Sequence, residues 1–272
     1  MAKNLDLQGL RSVSEKYDIF FIDLWGVVHN GIKLNDDAVN TLHNLKKEKK
    51  EFVLLTNAPR PNINVINFLK KLGLKDYFKN VYTSGEAALN CLISDYKNQK
   101  FFHIGPPRDF DLFKSFEKNK VKDIKFSDYL LCTGLFDDHD SDLIYYKHFL
   151  KDHVHKKMIC TNPDLIVDRG EKREFCAGSV ARSFEEINGE VIYFGKPYPP
   201  VYQMSCNLEN KNVLCIGDNL NTDIRGANNM KIDSIFISYG VHRSEFQNEN
   251  ELNDLQLRYK VNATYYQPQL TW

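Results

Sequence analysis

The chain has 272 residues, 42% of them apolar and 26% charged, and its 36 basic and 36 acidic side chains cancel to a formal net charge of zero. That is enough chain for one large or two ordinary globular domains with a substantial core. The charge balance excludes a global basic field that would draw the protein to nucleic acid or an anionic membrane, and no apolar run reaches membrane-spanning length.

The opening segment "MAKNLDLQGLRSVSEKYD" is polar and helix-like and lacks the apolar core of a secretion signal, so a cytoplasmic protein is expected. The six cysteines form no C-x-x-C pair and several sit in apolar runs, which predicts buried, reduced thiols.

The first strong element is "IFFID", a short apolar run that ends in Asp23 and a glycine-containing turn, "LWGVVHNG". After Asn35, a plausible N-cap, Val39, Leu42 and Leu45 recur on a helical period. "FVLLTN" follows as a second buried strand ending in Thr56 and Asn57, then a helix over "PNINVINFLKKLGL", then a strand over "NVYTSG".

Between residues 85 and 190 the pattern changes. "KFFHIGPP", "YLLCTGLF" and "KKMICTNPDLIV" read as further strands, and "DSDLIYYKHFLKDHVHKK" as an amphipathic helix. This predicts a second α/β domain, residues 85–190, inserted into a first domain made of residues 1–84 and 191–272. In the first domain "VIYFGKP", "VLCIGD" and "SIFISYG" supply its remaining strands, and residues 244–258 are polar enough to be read as surface. Strands alternating with helices imply right-handed βαβ units in an open parallel α/β sheet.

Ligands of such sheets bind beyond the carboxyl ends of the strands. Those ends carry Asp23, Thr56 with Asn57, Lys196, and Asp218 with Asp223. A carboxylate nucleophile, a hydroxyl, a lysine and hard oxygen donors suited to Mg²⁺ are a set for phosphoryl transfer. The crowded aspartates of "LFDDHDSDL" lack the glycine and closing glutamate of a calcium loop, and His153 and His155 lie among lysines without further ligands; both are read as surface.

In order, "DLWGV", "LLTN", "GKP" and "GDNLNTD" resemble the four motifs of the haloacid dehalogenase-like (HAD) hydrolase superfamily. The long interval between the second and third motifs, together with "CTNPD" and "GDNLNTDIRGA", resembles its class IIA, the NagD-like group of sugar-phosphate and pyridoxal-phosphate phosphatases. The resemblance implies a Rossmann-like three-layer core with an inserted C2-type α/β cap. It implies Asp23 as nucleophile and metal ligand, Thr56, Asn57 and Lys196 as phosphate-binding, Asp218 as metal ligand and Asp223 in support of the metal. It implies Mg²⁺ as cofactor, with the backbone carbonyl of Trp25 among its ligands, and Asp164 of the cap near the substrate. It further implies a small phosphorylated metabolite as substrate and a homodimer formed through the cap.

Trp25 departs from the pattern. In phosphatase members that position holds the carboxylic acid that protonates the leaving alkoxide and later activates water, and an indole can do neither. General acid–base catalysis is worth roughly 10²- to 10⁴-fold, or about 3 to 5.5 kcal/mol of barrier. Three readings remain at this point. One is a phosphohydrolase with an atypical acid/base step, for which His29 in the same loop is a weak substitute. The second is a catalytically silent module that binds a phosphorylated ligand. The third is a dehalogenase or C–P hydrolase, against which the intact metal motif argues. A missing base also predicts a stoichiometric product burst ahead of a slow steady state.

Overall fold

The computed structural model describes residues 2–74 and 80–272. The strands of the first half are β1 (Lys3–Asn4), β2 (Ile19–Ile22), β3 (Glu51–Thr56), β4 (Val81–Thr83), β5 (Phe101–Ile104) and β6 (Tyr129–Cys132). Those of the second half are β7 (Lys157–Cys160), β8 (Ile166–Arg169), β9 (Lys172–Phe175), β10 (Glu190–Tyr193), β11 (Val213–Gly217), β12 (Asp233–Ile237) and β13 (Tyr265–Gln267). The helices that matter below are α1 (Arg11–Ser14), α2 (Asp36–Lys47), α3 (Asn62–Lys71), α4 (Ser84–Asp95), α5 (Leu143–Leu150), α6 (Ala177–Glu185), α7 (Pro199–Ser205), α8 (Arg225–Met230) and α9 (Glu249–Tyr259).

Seven strands form one parallel sheet in the order β1-β13-β12-β11-β2-β3-β4. β2 sits near its middle and is buried along its whole length. Phe20 and Ile22 pack on one face with Leu54 and Leu214 and with α2 and α3 through Leu42 and Leu69. Ile19 and Phe21 pack on the other with Val53, Cys215 and, from α7 and α8, Tyr202 and Ala227. A strand covered on both faces has no solvent side to mark with polar residues, which is why "IFFI" is a continuous apolar run. Each such side chain fully buried is worth about 1.5–3 kcal/mol. Asn35 caps α2, accepting from the amides of Asp37 and Ala38, as its position in the sequence predicts.

The second sheet, β10-β7-β6-β5, is also parallel. Its one face packs α5 and α6 through Tyr146 and Phe184, and its other holds Phe101, Phe113 and Tyr129 together with Leu92 of α4. β8 and β9 form a separate antiparallel hairpin. α4 therefore joins the two units, with Ala87 in the core of the first sheet and Leu92 in that of the second.

Four expectations need correction. The run "VIY", assigned to the first domain by a boundary at residue 191, belongs to β10 and pairs residue for residue with β7 in the second sheet. A short apolar parallel strand carries no mark of the sheet it will join, and this one is a half-buried edge strand. The opening segment is not one helix: β1 precedes the four-residue α1, and Leu5, Leu10 and Val13 are buried against the large sheet. The long helix expected over residues 140–157 closes at Leu150. Residues 244–258 are not plain surface, because Leu252 and Leu255 of α9 pack under Phe236. Four cysteines are buried, Cys91 and Cys206 are half-buried, and all are free thiols. Among the described residues no helix is long and apolar enough to cross a membrane.

Candidate active site

Asp23 follows β2, Thr56 ends β3 with Asn57 just beyond, and Asp218 follows β11, so three neighbouring strands deliver their polar termini to one edge. Asp223 reaches the same point from a π-helical turn over Leu220–Ile224, whose wide loop folds its carboxylate back to accept from the Asn219 amide at 3.1 Å. Gly26 has φ +86°, and a Cβ there would stand 2.0 Å from Oδ2 of Asp218, so the turn after the nucleophile closes on this carboxylate only with glycine.

Lys196 Nζ donates to Asp23 Oδ1 at 2.5 Å and to Asp223 Oδ1 at 2.6 Å, and all three side chains are buried. Unlike Asp23, Thr56 and Asp218 it does not end a strand of the large sheet; it lies on the segment returning from β10 of the second sheet. Asn57 pins that segment in place. Its Oδ1 accepts from the Lys196 amide at 2.7 Å, and its Nδ2 donates to the Lys196 carbonyl at 3.0 Å and to Asp164 Oδ1 at 3.1 Å. The Asn57 side chain is thus committed to protein partners, and what it offers a ligand is its backbone. Thr56 Oγ1 accepts from the Ala58 amide at 3.3 Å, which leaves its hydroxyl proton free to donate.

Asp23, Asp218 and Asp223 each offer a carboxylate oxygen within 4.8 Å of one another. Burial pushes the Asp23 and Asp218 carboxyls up, and repulsion from neighbouring carboxylates, Asp223 on both and Asp23 on Asp218, adds to it, with Lys196 working against the rise. For Lys196 itself burial pulls down, but Asp223, Asp23 and Asp164 together push the ammonium above its ordinary value. Three buried carboxylates against one ammonium leave a net negative site. A hard-oxygen donor set with uncompensated negative charge fits a divalent cation such as Mg²⁺. Asp218 is oriented by the Val241 amide, which donates to its Oδ2 at 2.8 Å.

Asp164 stands at the mouth of this cluster on the loop after β7. Burial raises its carboxyl to about 6, opposed by Lys196 and by the bond from Asn57. His29 is buried, and its Nδ1 accepts from the Gly31 amide at 2.9 Å. Its ring lies edge-on between Trp25, at 5.1 Å, and Phe68, at 5.4 Å. Burial pushes it down to about 4, so at neutral pH it is an uncharged packing group.

Trp25 reaches outward. Its Nε1 donates to the Asp168 carbonyl in the β8–β9 hairpin at 2.6 Å, and the Arg169 guanidinium lies over its ring at 5.3 Å. Asp168 in turn pairs with Arg173 at 2.8 Å and with Arg243 of the first domain at 2.6 Å. Asp168, Arg173 and Arg243 carry no sequence signal, because the contact that unites them joins segments far apart in the chain.

Two cavities meet at this point. One, of about 550 Å³, holds Asp23, Lys196, Asp218 and Asp223. The other, of about 890 Å³, lies between α3 and the second sheet and is lined by Val65, Phe68, Leu135 and the Arg60–Asp109 ion pair. The first suits a phosphoryl group and its metal; the second has room for the remainder of a substrate.

Comparison with known proteins agrees with this geometry. Residues 20–117 match a family model described as haloacid dehalogenase-like hydrolase, and residues 193–263 one described as HAD-hydrolase-like. An acid sugar phosphatase of Staphylococcus epidermidis is 26% identical over 84% of this chain and 89% of its own length. One of Staphylococcus saprophyticus is 24% identical over 85% and 90%. Among solved structures, a haloacid dehalogenase-like hydrolase from Brucella suis covers 100% of both chains at 27% identity, with a TM-score of 0.85. A 4-nitrophenylphosphatase from Thermotoga maritima covers 95% of this chain and 96% of its own at 24% identity, with a TM-score of 0.70. The fold is shared with a putative nagD protein at 22% identity and a TM-score of 0.65, over 86% of this chain and 94% of its own, and the chain belongs to the haloacid dehalogenase-like hydrolase superfamily.

Proposed function

We propose that the protein is a Mg²⁺-dependent phosphohydrolase acting on a small phosphorylated metabolite through an aspartyl-phosphate on Asp23. The observation that carries this reading is the buried group Asp23–Lys196–Asp223 with Asp218 beside it at the end of the sheet. Asp23 Oδ2 is the oxygen left free by Lys196 and attacks phosphorus. Lys196 holds the other oxygen, fixes the carboxylate and spreads positive charge toward the phosphoryl oxygens. Thr56 donates its free hydroxyl, and the Asn57 amide a backbone N–H, to the same group. Asp23, the Trp25 carbonyl and Asp218 would hold Mg²⁺, with Asp223 in support, and the ion would offset repulsion between an anionic nucleophile and its anionic substrate. His29 serves as the buttress of Trp25 rather than as the acid, since Nδ1 is already an acceptor and the ring is neutral. The relatives named for acid sugar phosphatase activity favour a sugar phosphate. A carboxylate triad of this kind has no use in a dehalogenase, whose departing halide requires no metal.

The test is a panel of sugar phosphates and acetyl phosphate, assayed with and without Mg²⁺ beside an Asp23→Asn control. Turnover that requires Mg²⁺ and vanishes in the control is expected. Binding of the phosphorylated compounds without turnover in either protein would overturn the reading in favour of a silent phospho-ligand module.

A further inference from the structure

The loss of the usual acid to Trp25 raises the question of where the proton comes from, and the two cavities narrow it. The bond that breaks joins the phosphoryl group in one cavity to the leaving group in the other, so the proton donor must face both. Among the described residues that line both cavities, only His29 and Asp164 carry a group able to transfer a proton. His29 has its Nδ1 committed to Gly31 and its ring wedged between Trp25 and Phe68. Asp168 of the cap hairpin, which lines the first cavity alone, is tied to two guanidinium groups. Asp164 accepts from Asn57 Nδ2 through Oδ1 and is also bonded to the Thr222 side chain, and it lines the cavity that holds Asp23 and Lys196.

The loop that carries Asp164 is built to hold it there. Its own amide donates to Asn162 Oδ1 at 2.9 Å, and its carbonyl accepts from the Gly178 amide at 3.1 Å. One step earlier in the chain, Ser84 of the first domain donates to the Thr161 carbonyl at 2.6 Å. The cap loop is thus bonded to the core at two points, at Thr161 through Ser84 and at Asp164 itself through Asn57.

Resting on the phosphohydrolase reading above, we infer that Asp164 is the general acid and base that stands in for the carboxyl absent at position 25. In the first step its proton passes to the leaving oxygen as the P–O bond to the alcohol breaks and the bond from Asp23 to phosphorus forms. In the second its carboxylate takes a proton from the water that attacks phosphorus, releasing phosphate and restoring Asp23. Protonated carboxyl and carboxylate alternate, and no further reactant is needed. The charged and titratable groups facing Asp164 are Lys196, Asp23 and Asp223 of the core and the thiols of Cys160 and Cys176 in its own unit. Of these, Lys196 opposes protonation and the core carboxylates favour it, while burial keeps both thiols protonated and uncharged.

The experiment compares leaving groups in Asp164→Asn. For the fastest alkyl phosphomonoester of a sugar-phosphate panel, kcat/KM is expected to fall 10²- to 10⁴-fold. For acetyl phosphate, whose acetate leaves without a proton, kcat/KM stays within about threefold, which also shows that the variant is folded. With acetyl phosphate the phospho-enzyme, formed normally but hydrolysed slowly, appears as a stoichiometric burst in the variant, whereas the wild type is linear. In Asp164→Ala, added formate restores at least part of the alkyl-ester rate. Equal losses on both substrates without formate rescue, or no loss on the alkyl ester, overturns the role of Asp164 while Asp23-dependent turnover leaves the enzyme reading intact. Absence of any turnover that Asp23→Asn abolishes overturns both.

Discussion

The indole N–H of Trp25 donates to the backbone carbonyl of Asp168 at 2.6 Å, so the residue next to the nucleophile turn binds the cap. Around this bond the Arg243–Asp168 pair and the bond from Arg173 to the Val241 carbonyl, at 2.9 Å, close the β8–β9 hairpin over the site. The position that in relatives performs proton transfer here performs docking. Trp25→Phe removes the hydrogen bond and keeps the ring. A loss of about 1 kcal/mol is expected, together with faster amide exchange across residues 166–175. The chain has two tryptophans, so in a Trp272→Phe background the emission of Trp25 reports the state of the hairpin directly. Unchanged exchange in the hairpin would refute the docking role.

The low proton affinity of His29 makes stability depend on pH in a definite direction. Unfolded, the ring takes a proton near its ordinary value; folded, it resists until about pH 4. Stability that is complete above pH 6.5 is therefore lost as pH falls toward 4, by about 3 kcal/mol for a shift of this size. His103, buried and held down to about 3, acts in the same sense. His29→Asn should flatten the slope of unfolding free energy between pH 6.5 and 4 without abolishing it. A slope identical to wild type would show that the ring is not desolvated.

Mg²⁺ should raise the melting temperature by mass action, since only the folded chain assembles the three carboxylates; at a concentration one hundred times Kd the gain is about 2.7 kcal/mol. In Asp218→Asn that gain should disappear, while the metal-free variant is at least as stable as metal-free wild type, because one buried like charge has gone. An undiminished Mg²⁺ shift in the variant would remove Asp218 from the metal site.

Gly178 begins the turn of α6 against the Asp164 loop. A Cβ there would lie 2.3 Å from the Pro163 carbonyl oxygen and 2.5 Å from that of Asp164. Both obstacles are backbone and cannot swing aside. Gly178→Ala should therefore displace Asp164 and lower activity on alkyl phosphates, with a loss of stability in the range of 1–3 kcal/mol typical of overpacking. Wild-type kinetics in this variant would mean that the position of Asp164 is not critical.

The candidate site was largely legible in the sequence because its residues sit at strand ends, where local pattern and topology coincide: Asp23, Thr56 and Asp218 need only the parallel sheet to meet. The same pattern misplaced "VIY", since hydrophobicity identifies a strand but not its sheet. It was silent on Asp168 and Arg243, whose partners are set by how the cap lies on the core. For Asn57 it pointed to the right place with an incomplete reason: the side chain holds Lys196 and Asp164, and neither bond has a local signature.

Lys196 arrives on the stretch of chain that leaves the cap, and this bears on the order in which the molecule can be assembled. A core that paired β2 with β3 and β11 before the cap had formed would hold Asp23 and Asp218 side by side and no ammonium. The central strands thus close around mutual repulsion until the inserted unit has folded and returned the chain to Asn57. Charge compensation at the site is in this sense a report that the cap is complete, and a solution cation is the natural stand-in while it is not.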